Sequence, residues 1–194
     1  SPYYHNQDYH NTYTVDHEKV VDDLVNFPVL VSFVDGDLVG KAQVDGDDIV
    51  FTDYYGFKLN HEIELFNATS GELVCWVNVT SLSSSVDTVL YMYYGNSGCS
   101  SMENVAGVWD SSYRLVQHLN ESSGLHFDST VYGNDGTCFG GVNQSAVGMV
   151  DGADRFARPE ECVRGSSFSL GDEYSVGMWF KADTLSSPVA NWQC

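Results

Sequence analysis

Four aspartates lie close together in the segment DGDDIVFTD, residues 45–53: Asp45, Asp47, Asp48 and Asp53. Their carboxylates could contribute to a calcium site, since Ca²⁺ takes roughly six to eight oxygen ligands. The EF-hand pattern is absent, because neither the glycine nor the glutamate of that loop is in place. The same residues suit a tight turn, since aspartate accepts hydrogen bonds from nearby amides and Gly46 tolerates a positive φ. We predict a turn, with bound calcium as the alternative and no other cofactor.

A second group with chemical potential lies in KLNHEIELF, residues 58–66. On a strand, Glu62 and Glu64 share one face about 6–7 Å apart, a separation close to that of the carboxylate pair in glycosidases. His61 points to the other face, so adjacency creates no histidine–carboxylate pair. Solvated strand carboxylates are far commoner than catalytic ones, and nucleophile-elbow and phosphate-loop motifs are absent. The sequence therefore predicts no enzymatic activity.

The N-terminal segment SPYYHNQDYHNT has aromatic and imidazole side chains without a regular period. His5, His10 and His17 are too irregularly spaced to favour a metal site over packing or hydrogen bonding. Tyrosine rings bury area at low entropic cost, which suits an interface. We expect residues 1–13 to form an arm with these interface tyrosines: Tyr3, Tyr4, Tyr9 and Tyr13.

The cysteines are scattered, and none has the spacing of a zinc knuckle or a thioredoxin-type centre. Such a distribution favours disulfides in an oxidising compartment, with buried reduced thiols as the alternative. Proximity in the chain suggests the pairs Cys75–Cys99 and Cys138–Cys162, which leaves Cys194 for an intermolecular bond or a free thiol. Four glycosylation sequons also favour an extracellular location. They begin at Asn67, Asn78, Asn120 and Asn143.

The segments that contain or flank these candidate residues have the alternating apolar pattern of β-strands. Alternating apolar residues predict strands at 25–33, 48–53, 58–66, 72–80 and 88–95, and the last of these is apolar on both faces, as a central strand should be. One short helix is expected over residues 39–44. After a small, polar connector, short apolar runs separated by glycine continue, and SVGMWFKA at 175–182 alternates most clearly. The predicted class is all-β, with two jelly-roll-like sandwich units.

Charge excludes some partners. The chain has 27 acidic and 8 basic residues and a formal net charge of −19. Such a surface repels phosphate backbones and anionic lipids, so we expect no nucleic-acid partner. No apolar run of 18 residues predicts a membrane span.

The stretch from DGDDIVFTD through KLNHEIELF and CWVNV to YMYYGN resembles a β-rich domain of unknown function found in archaeal and bacterial surface proteins. The resemblance covers residues 14–100. It implies that a laminin-G-like or concanavalin-like sandwich follows, and residues 107–194 are similar to the early strands of one. Asp151 and Asp154 lie where such domains turn, and calcium is a minor alternative there.

About twice that length is usual for such a sandwich, so we expect the second unit to be incomplete within residues 107–194. Unpaired strand edges need partners. These considerations predict a non-enzymatic, secreted cell-surface protein with a structural or adhesive role, in which β-strand addition between subunits builds a filament. The alternatives are a glycan-binding module and an accessory region of a larger hydrolase.

Overall fold

Alternating apolar residues place two antiparallel sheets face to face in the first half of the chain. The computed structural model describes residues 8–182. One sheet has the order β1–β7–β3–β4 and the other has the order β2–β6–β5. Their bounds are β1 Tyr9–Val15, β2 Leu24–Val34, β3 Val50–Asp53, β4 Lys58–Leu59, β5 His61–Asn67, β6 Glu72–Leu82 and β7 Thr88–Tyr94.

The hydrophobic core lies between these two sheets. Phe51, Leu90 and Met92 reach it from one sheet. Leu73 and Val77 reach it from the other, and all five side chains are buried. Because successive strand residues point to opposite faces, every second residue of β6 and β7 enters this core.

Residues beyond 107 form smaller sheets. The order β12–β9–β8 joins three short strands, and β10–β11 is a separate hairpin. Their bounds are β8 Leu125–His126, β9 Gly136–Phe139, β10 Asn143–Val147, β11 Gly152–Arg155 and β12 Cys162–Arg164. The described chain is therefore all-β, with antiparallel pairing throughout and sandwich architecture in its first half.

The helix predicted for residues 39–44 is wrong. Residues 39–44 form turns, and the 3-10 turn Gly36–Leu38 comes just before them; the Asp35 carboxylate caps it by accepting from the Asp37 amide. Six residues form too few helical hydrogen bonds to offset the free-energy cost of helix nucleation without strong packing. The other 3-10 turns are His17–Lys19 and Val105–Gly107, and residues 8–182 contain no α-helix.

Two strand predictions also differ from the structure. β6, rather than β7, is covered on both faces, since Val74 and Asn78 are buried on its outer side. Residues 175–182, despite their alternation, form no strand and stay exposed. Part of the predicted arm is ordered, because β1 pairs with β7 from Tyr9 to Val15. Nowhere in residues 8–182 is there a helix of the length and apolarity needed to cross a bilayer.

Candidate functional site

The aspartate segment forms a turn that anchors the end of β7. Asp48 is fully buried. Its Oδ2 accepts hydrogen bonds from the amides of Gly95 (2.7 Å) and Asn96 (3.0 Å), and its Oδ1 accepts from the Gln43 amide at 2.9 Å. Backbone amides that would otherwise be unpaired are thereby satisfied. Asp48 thus links the acidic turn to the YYGN sequence that ends β7.

The other predicted calcium ligands make separate local contacts. Asp45 accepts a 3.2 Å bond from the Asp47 amide, and the Asp47 carbonyl accepts from the Met102 amide at 2.9 Å. Asp53 lies at the end of β3. Among residues 8–182, neither group of side chains close enough to share one ion includes these aspartates. The arrangement is that of turns, each of which uses its own carboxylate.

Asp53 also shapes an exposed aromatic turn between β3 and β4. Its Oδ1 accepts from the amides of Tyr55 (2.9 Å) and Phe57 (2.8 Å). Tyr54, Tyr55 and Phe57 are all at least 66% exposed, and the two tyrosine rings meet edge to face at 5.5 Å. The turn (hereafter the aromatic turn, Asp53–Phe57) therefore presents three rings to solvent on a hydrogen-bonded backbone.

Glu62 and Glu64 form the clearest cluster of titratable side chains on the sandwich, together with a histidine from the second half. A β-bulge in β5 shifts the register with β6 between Ile63 and Leu65, so that Glu64 is the extra residue. Such bulges re-aim side chains. In consequence Ile63 and Phe66 pack against the core, whereas strict alternation predicts Ile63 and Leu65.

His118 lies between the two glutamates. Its Nε2 is 3.1 Å from Glu62 Oε1, and its Nδ1 is 3.3 Å from Glu64 Oε2. Glu62 Oε2 accepts from the Trp109 indole at 2.8 Å, and Glu62 Oε1 accepts from the Ser129 hydroxyl at 2.5 Å. We call these residues, with Trp76, the carboxylate–histidine network.

Trp76 completes this network from β6. Its indole donates a 2.8 Å bond to Glu64 Oε2, and its ring lies 5.3 Å from that of Trp109. The glutamates therefore have partners both from residues 109–129 and from β6. This arrangement docks the chain after β7 onto the outer face of β5 and β6.

Proton affinities in the network follow from burial and from opposite charge. Burial alone lowers the pKa of His118, but contacts with Glu62 and Glu64 and their charges outweigh burial and raise the pKa to about 10. For Glu64, burial raises the pKa, whereas His118 and Trp76 lower it more strongly. An imidazolium between carboxylates is the favoured state at neutral pH.

A cavity of about 240 Å³ adjoins the network. Its lining includes Glu62, Glu64 and His118 from the network, together with Asn120 and Phe127. A carboxylate pair beside a cavity can in principle protonate a substrate oxygen. Here Glu62 is nearly inaccessible and already accepts bonds from Trp109 and Ser129, which is the pattern of a buried structural pair.

His61 takes no part in this network. It is fully buried in the core, with its ring edge to face against Phe51 at 5.5 Å. In the part of the chain that the structure describes, neither ring nitrogen has a hydrogen-bond partner. Burial, assisted by the charge of Lys58, lowers the pKa of His61 to about 4, so the ring packs as a neutral side chain.

The first predicted disulfide is not formed. Cys75 is a free, fully buried thiol on β6, and Cys99 is a free thiol in the loop after β7. Cys99 lies beside Gln43, whose side-chain amide donates to its carbonyl at 3.1 Å. Burial raises the pKa of the Cys75 thiol, which makes it unreactive.

The second predicted pair is also not formed. Cys138 and Cys162 are both free thiols. They lie on adjacent strands, but Cys138 is opposite Val163 and Cys162 is opposite Phe139. A shift of one residue places the two side chains on opposite faces of the sheet. Cys194 lies outside the described residues.

Three of the four sequons are accessible. Asn67, Asn120 and Asn143 are exposed. Asn78 is buried, and its side-chain nitrogen donates a 2.8 Å bond to the Val108 carbonyl. A glycan at Asn78 does not fit this fold, because the chain after β7 covers that face.

The predicted interface tyrosines divide into two pairs. Tyr3 and Tyr4 lie outside the described residues. Tyr9 stacks on Tyr94 at 5.6 Å, and Tyr13 stacks on Phe33 at 4.9 Å. The described pair therefore packs within its own sandwich.

Sequence reasoning did not identify Trp76, Trp109, His118 or Ser129 as partners of the glutamates. These contacts join residues up to 67 positions apart. The available signal was the conjunction of two tryptophans with two acidic residues on one strand face, because buried indole N–H groups need acceptors.

Comparison with known proteins supplies a family match for part of the chain. Residues 45–135 match a family described as a domain of unknown function (DUF2341). No curated protein and no solved structure matches the chain. The match begins at the acidic turn and continues through Ser129, so it contains the entire carboxylate–histidine network. Residues 45–135 are thus similar to a domain family without an assigned activity.

Proposed function

We propose that this protein is a non-enzymatic structural and adhesive module of an extracellular microbial surface, and that copies of it associate by β-strand addition. The proposal rests on the alternation and exposure of apolar side chains in residues 175–182. Its apolar residues alternate as in a strand, yet Val176, Met178 and Phe180 are at least 55% exposed. Exposed apolar stretches of this kind are typical of interaction surfaces.

An acceptor edge is available on the same chain. Within residues 8–182, strand β12 pairs only with β9 and so forms one edge of its sheet. An open edge offers unpaired backbone groups to an added strand. Because donor and acceptor both belong to this chain, the partner we propose is a second copy. The N-terminal arm is a weaker donor than expected, since residues 9–15 already pair with β7.

The second unit supports the same proposal. Between residues 110 and 182, no apolar side chain is fully buried. We propose that these residues begin a laminin-G-like sandwich whose core forms when further strands are added. A sheet with one uncovered apolar face gains most of its stability from such a partner.

Association must overcome the net charge of −19. Like charges on two copies repel each other beyond contact range, and about 0.15 M salt screens this repulsion within about 8 Å. We therefore expect oligomers at physiological salt and fewer of them at low salt. Light scattering after size-exclusion chromatography, together with electron microscopy, measures both.

A matched pair of variants tests the role of the segment. Val176→Lys places a charge on the apolar face, whereas Ser169→Lys adds the same charge at an exposed polar position. We expect the first to abolish oligomers and the second to retain them. A monomeric wild-type chain at every salt and protein concentration would refute the proposal.

The aromatic turn favours a second candidate function, the binding of neutral glycans. Tyr54, Tyr55 and Phe57 expose flat apolar faces, and sugar rings pack their C–H faces on such surfaces. Retention on a glycan array that Tyr55→Ala abolishes and Val176→Lys preserves would favour this function. Release of sugar from a bound glycan, lost in Glu62→Gln, would instead indicate a hydrolase.

A further inference from the structure

Three potential metal ligands converge in the second half of the chain, outside the carboxylate–histidine network. His126 comes from β8, Cys138 from β9 and Asp154 from β11. His126 Nε2 lies 2.8 Å from Asp154 Oδ2 and 3.3 Å from Cys138 Sγ, and the sulfur lies 4.0 Å from the same oxygen. All three donor atoms lie within 4.8 Å of one another.

Glu121 holds the histidine in the orientation that metal binding requires. Its Oε2 is 2.7 Å from His126 Nδ1, and its Oε1 accepts from the Phe127 amide at 2.8 Å. The ring therefore presents Nε2 to Cys138 and Asp154. A carboxylate behind the imidazole is the usual second partner of a metal-binding histidine.

The buried carboxylate in this cluster lacks sufficient partners. The side chains of His126 and Asp154 are both 0% exposed. Asp154 Oδ1 has no hydrogen-bond partner among the described residues. A buried carboxylate that is only half satisfied is costly unless a cation accompanies it.

His126 Nε2 is surrounded by more groups than it can bond to directly. Besides Asp154 and Cys138, the side-chain nitrogen of Gln144 lies 3.2 Å away. One ring nitrogen makes a single hydrogen bond. A cation placed among the nitrogen, the sulfur and the oxygen would use all three donors together.

The surrounding unit also needs an additional source of stability. The buried side chains within residues 110–182 are polar: His126, Ser129, Thr130, Asn134 and Glu161. Small units without an apolar core commonly fold around a metal or disulfides, and none of the four described cysteines is paired.

We propose that His126, Cys138 and Asp154 form a binding site for a divalent transition metal of the zinc class. Thiolate and imidazole donors favour Zn²⁺ over Ca²⁺ or Mg²⁺, which take oxygen ligands. Tetrahedral zinc with these ligands would separate the donor atoms by about 3.3–3.6 Å, so shifts of about 0.6 Å or less would suffice. Water would complete the coordination, and the metal would tie the β10–β11 hairpin to the β8–β9 pair.

A thiol nucleophile activated by His126 is the competing use of the same residues. In that arrangement Nε2 takes the thiol proton. Here Asp154 Oδ2 is closer to Nε2 than the sulfur is, 2.8 Å against 3.3 Å. Asp154, rather than the thiol of Cys138, is thus the nearer partner of His126 Nε2. This geometry favours binding of one metal ion by all three side chains over activation of the thiol.

Cobalt and zinc titrations of the reduced, metal-free full chain test the site. Co²⁺ bound to a thiolate gives an intense sulfur-to-cobalt absorption that oxygen and nitrogen ligands do not give. We expect this absorption to saturate at one Co²⁺ per chain and to be lost on addition of one equivalent of Zn²⁺. Cobalt binding without the thiolate absorption, or no binding, would overturn the proposal.

Three variants distinguish this site from other parts of the chain. Cys138→Ser should remove the absorption and weaken zinc at least about 100-fold, and Glu121→Gln, which keeps all ligands, should weaken zinc about 10–100-fold. Cys162→Ser should change neither, because this thiol lies on the opposite face of the same strand pair.

A second cluster serves as an internal control. Asp16, His17 and Asp87 are close enough to share an ion but lie on the surface and include no thiol. His17→Ala should leave the cobalt absorption unchanged. Equal loss of zinc in Cys138→Ser and Cys162→Ser, or retention in both, would contradict the proposed ligand set, and circular dichroism of the metal-free variants shows whether their fold is intact.

Discussion

Replacing Asp48 with alanine is the most informative test of the acidic turn. The carboxylate accepts three backbone hydrogen bonds, from the amides of Gln43, Gly95 and Asn96, at 2.7–3.0 Å. A hydrogen bond to a charged group contributes about 1.5–3 kcal/mol. The three are not additive, because water can enter the space that alanine leaves. We therefore expect Asp48→Ala to lower the free energy of unfolding by about 3–5 kcal/mol.

Thermal and urea unfolding measure this change. For a chain of this length each kcal/mol shifts Tm by about 2–4 °C, so Tm should fall by about 6–20 °C. Asp45→Ala is the matched control, since Asp45 is exposed and accepts one 3.2 Å bond. This control should cost less than about 1 kcal/mol.

Two outcomes would refute the reasoning on Asp48. One is an unfolding free energy of Asp48→Ala within about 1 kcal/mol of wild type. The other is a wild-type protein whose thermal stability depends on calcium. If EDTA lowered Tm, and Asp45→Ala and Asp48→Ala both removed that sensitivity, the aspartates would hold an ion rather than the backbone alone.

Three further predictions concern buried groups. The folded pKa of His118 is raised to about 10 from an ordinary 6.5, so its contribution to stability should be complete below about pH 6.5 and lost as pH rises towards 10. The Tm values of wild type and His118→Gln should therefore converge between about pH 6.5 and 10. A difference in Tm that stays constant over this interval would contradict the ion pairing. Asn78→Gln should lower the free energy of unfolding in urea by about 1–3 kcal/mol, because the bond to the Val108 carbonyl is lost. Asn67→Gln, at an exposed turn, should lower it by less than about 1 kcal/mol. Equal losses would argue against the packing of the chain after β7 onto β6. Cys75 should resist alkylation in the native chain and react at the rate of unfolding, while rapid native labelling located at Cys75 by mass spectrometry would contradict its burial.

Strand periodicity predicts much of the first unit. Alternation in residues 25–33 and 72–80 corresponds to β2 and β6. β2 is longer by one residue at each end, and β6 is longer by two residues at its C-terminal end only. The bulge at Glu64 could not be predicted in this way. Leu65 and Phe66 are both apolar, so the pattern fits either register.

Long-range contacts explain why the candidate site was only partly foreseen. The glutamates were recognised as a pair on one strand face, but their partners Trp109 and His118 follow more than 40 residues later. No local pattern specifies which distant segment covers a strand. For the same reason the sequence does not show that the face of β6 bearing Asn78 is covered, and apolar composition predicts coverage on both faces for β7 instead.

Residues 175–182 show the opposite case, in which a strong local pattern has no strand in the structure. Alternation reports that a segment can form a half-buried strand. Whether it does depends on a partner for its backbone groups, and none lies within residues 8–182. This difference between local propensity and observed pairing is the basis of the proposed association.

Hydrogen–deuterium exchange at residues 175–182, followed over a range of protein concentrations, tests that association most directly. The account predicts fast exchange in dilute solution and protection that increases with concentration for wild type and Ser169→Lys, and no such increase for Val176→Lys. Exchange that is independent of concentration, whether fast or slow, would contradict pairing between copies.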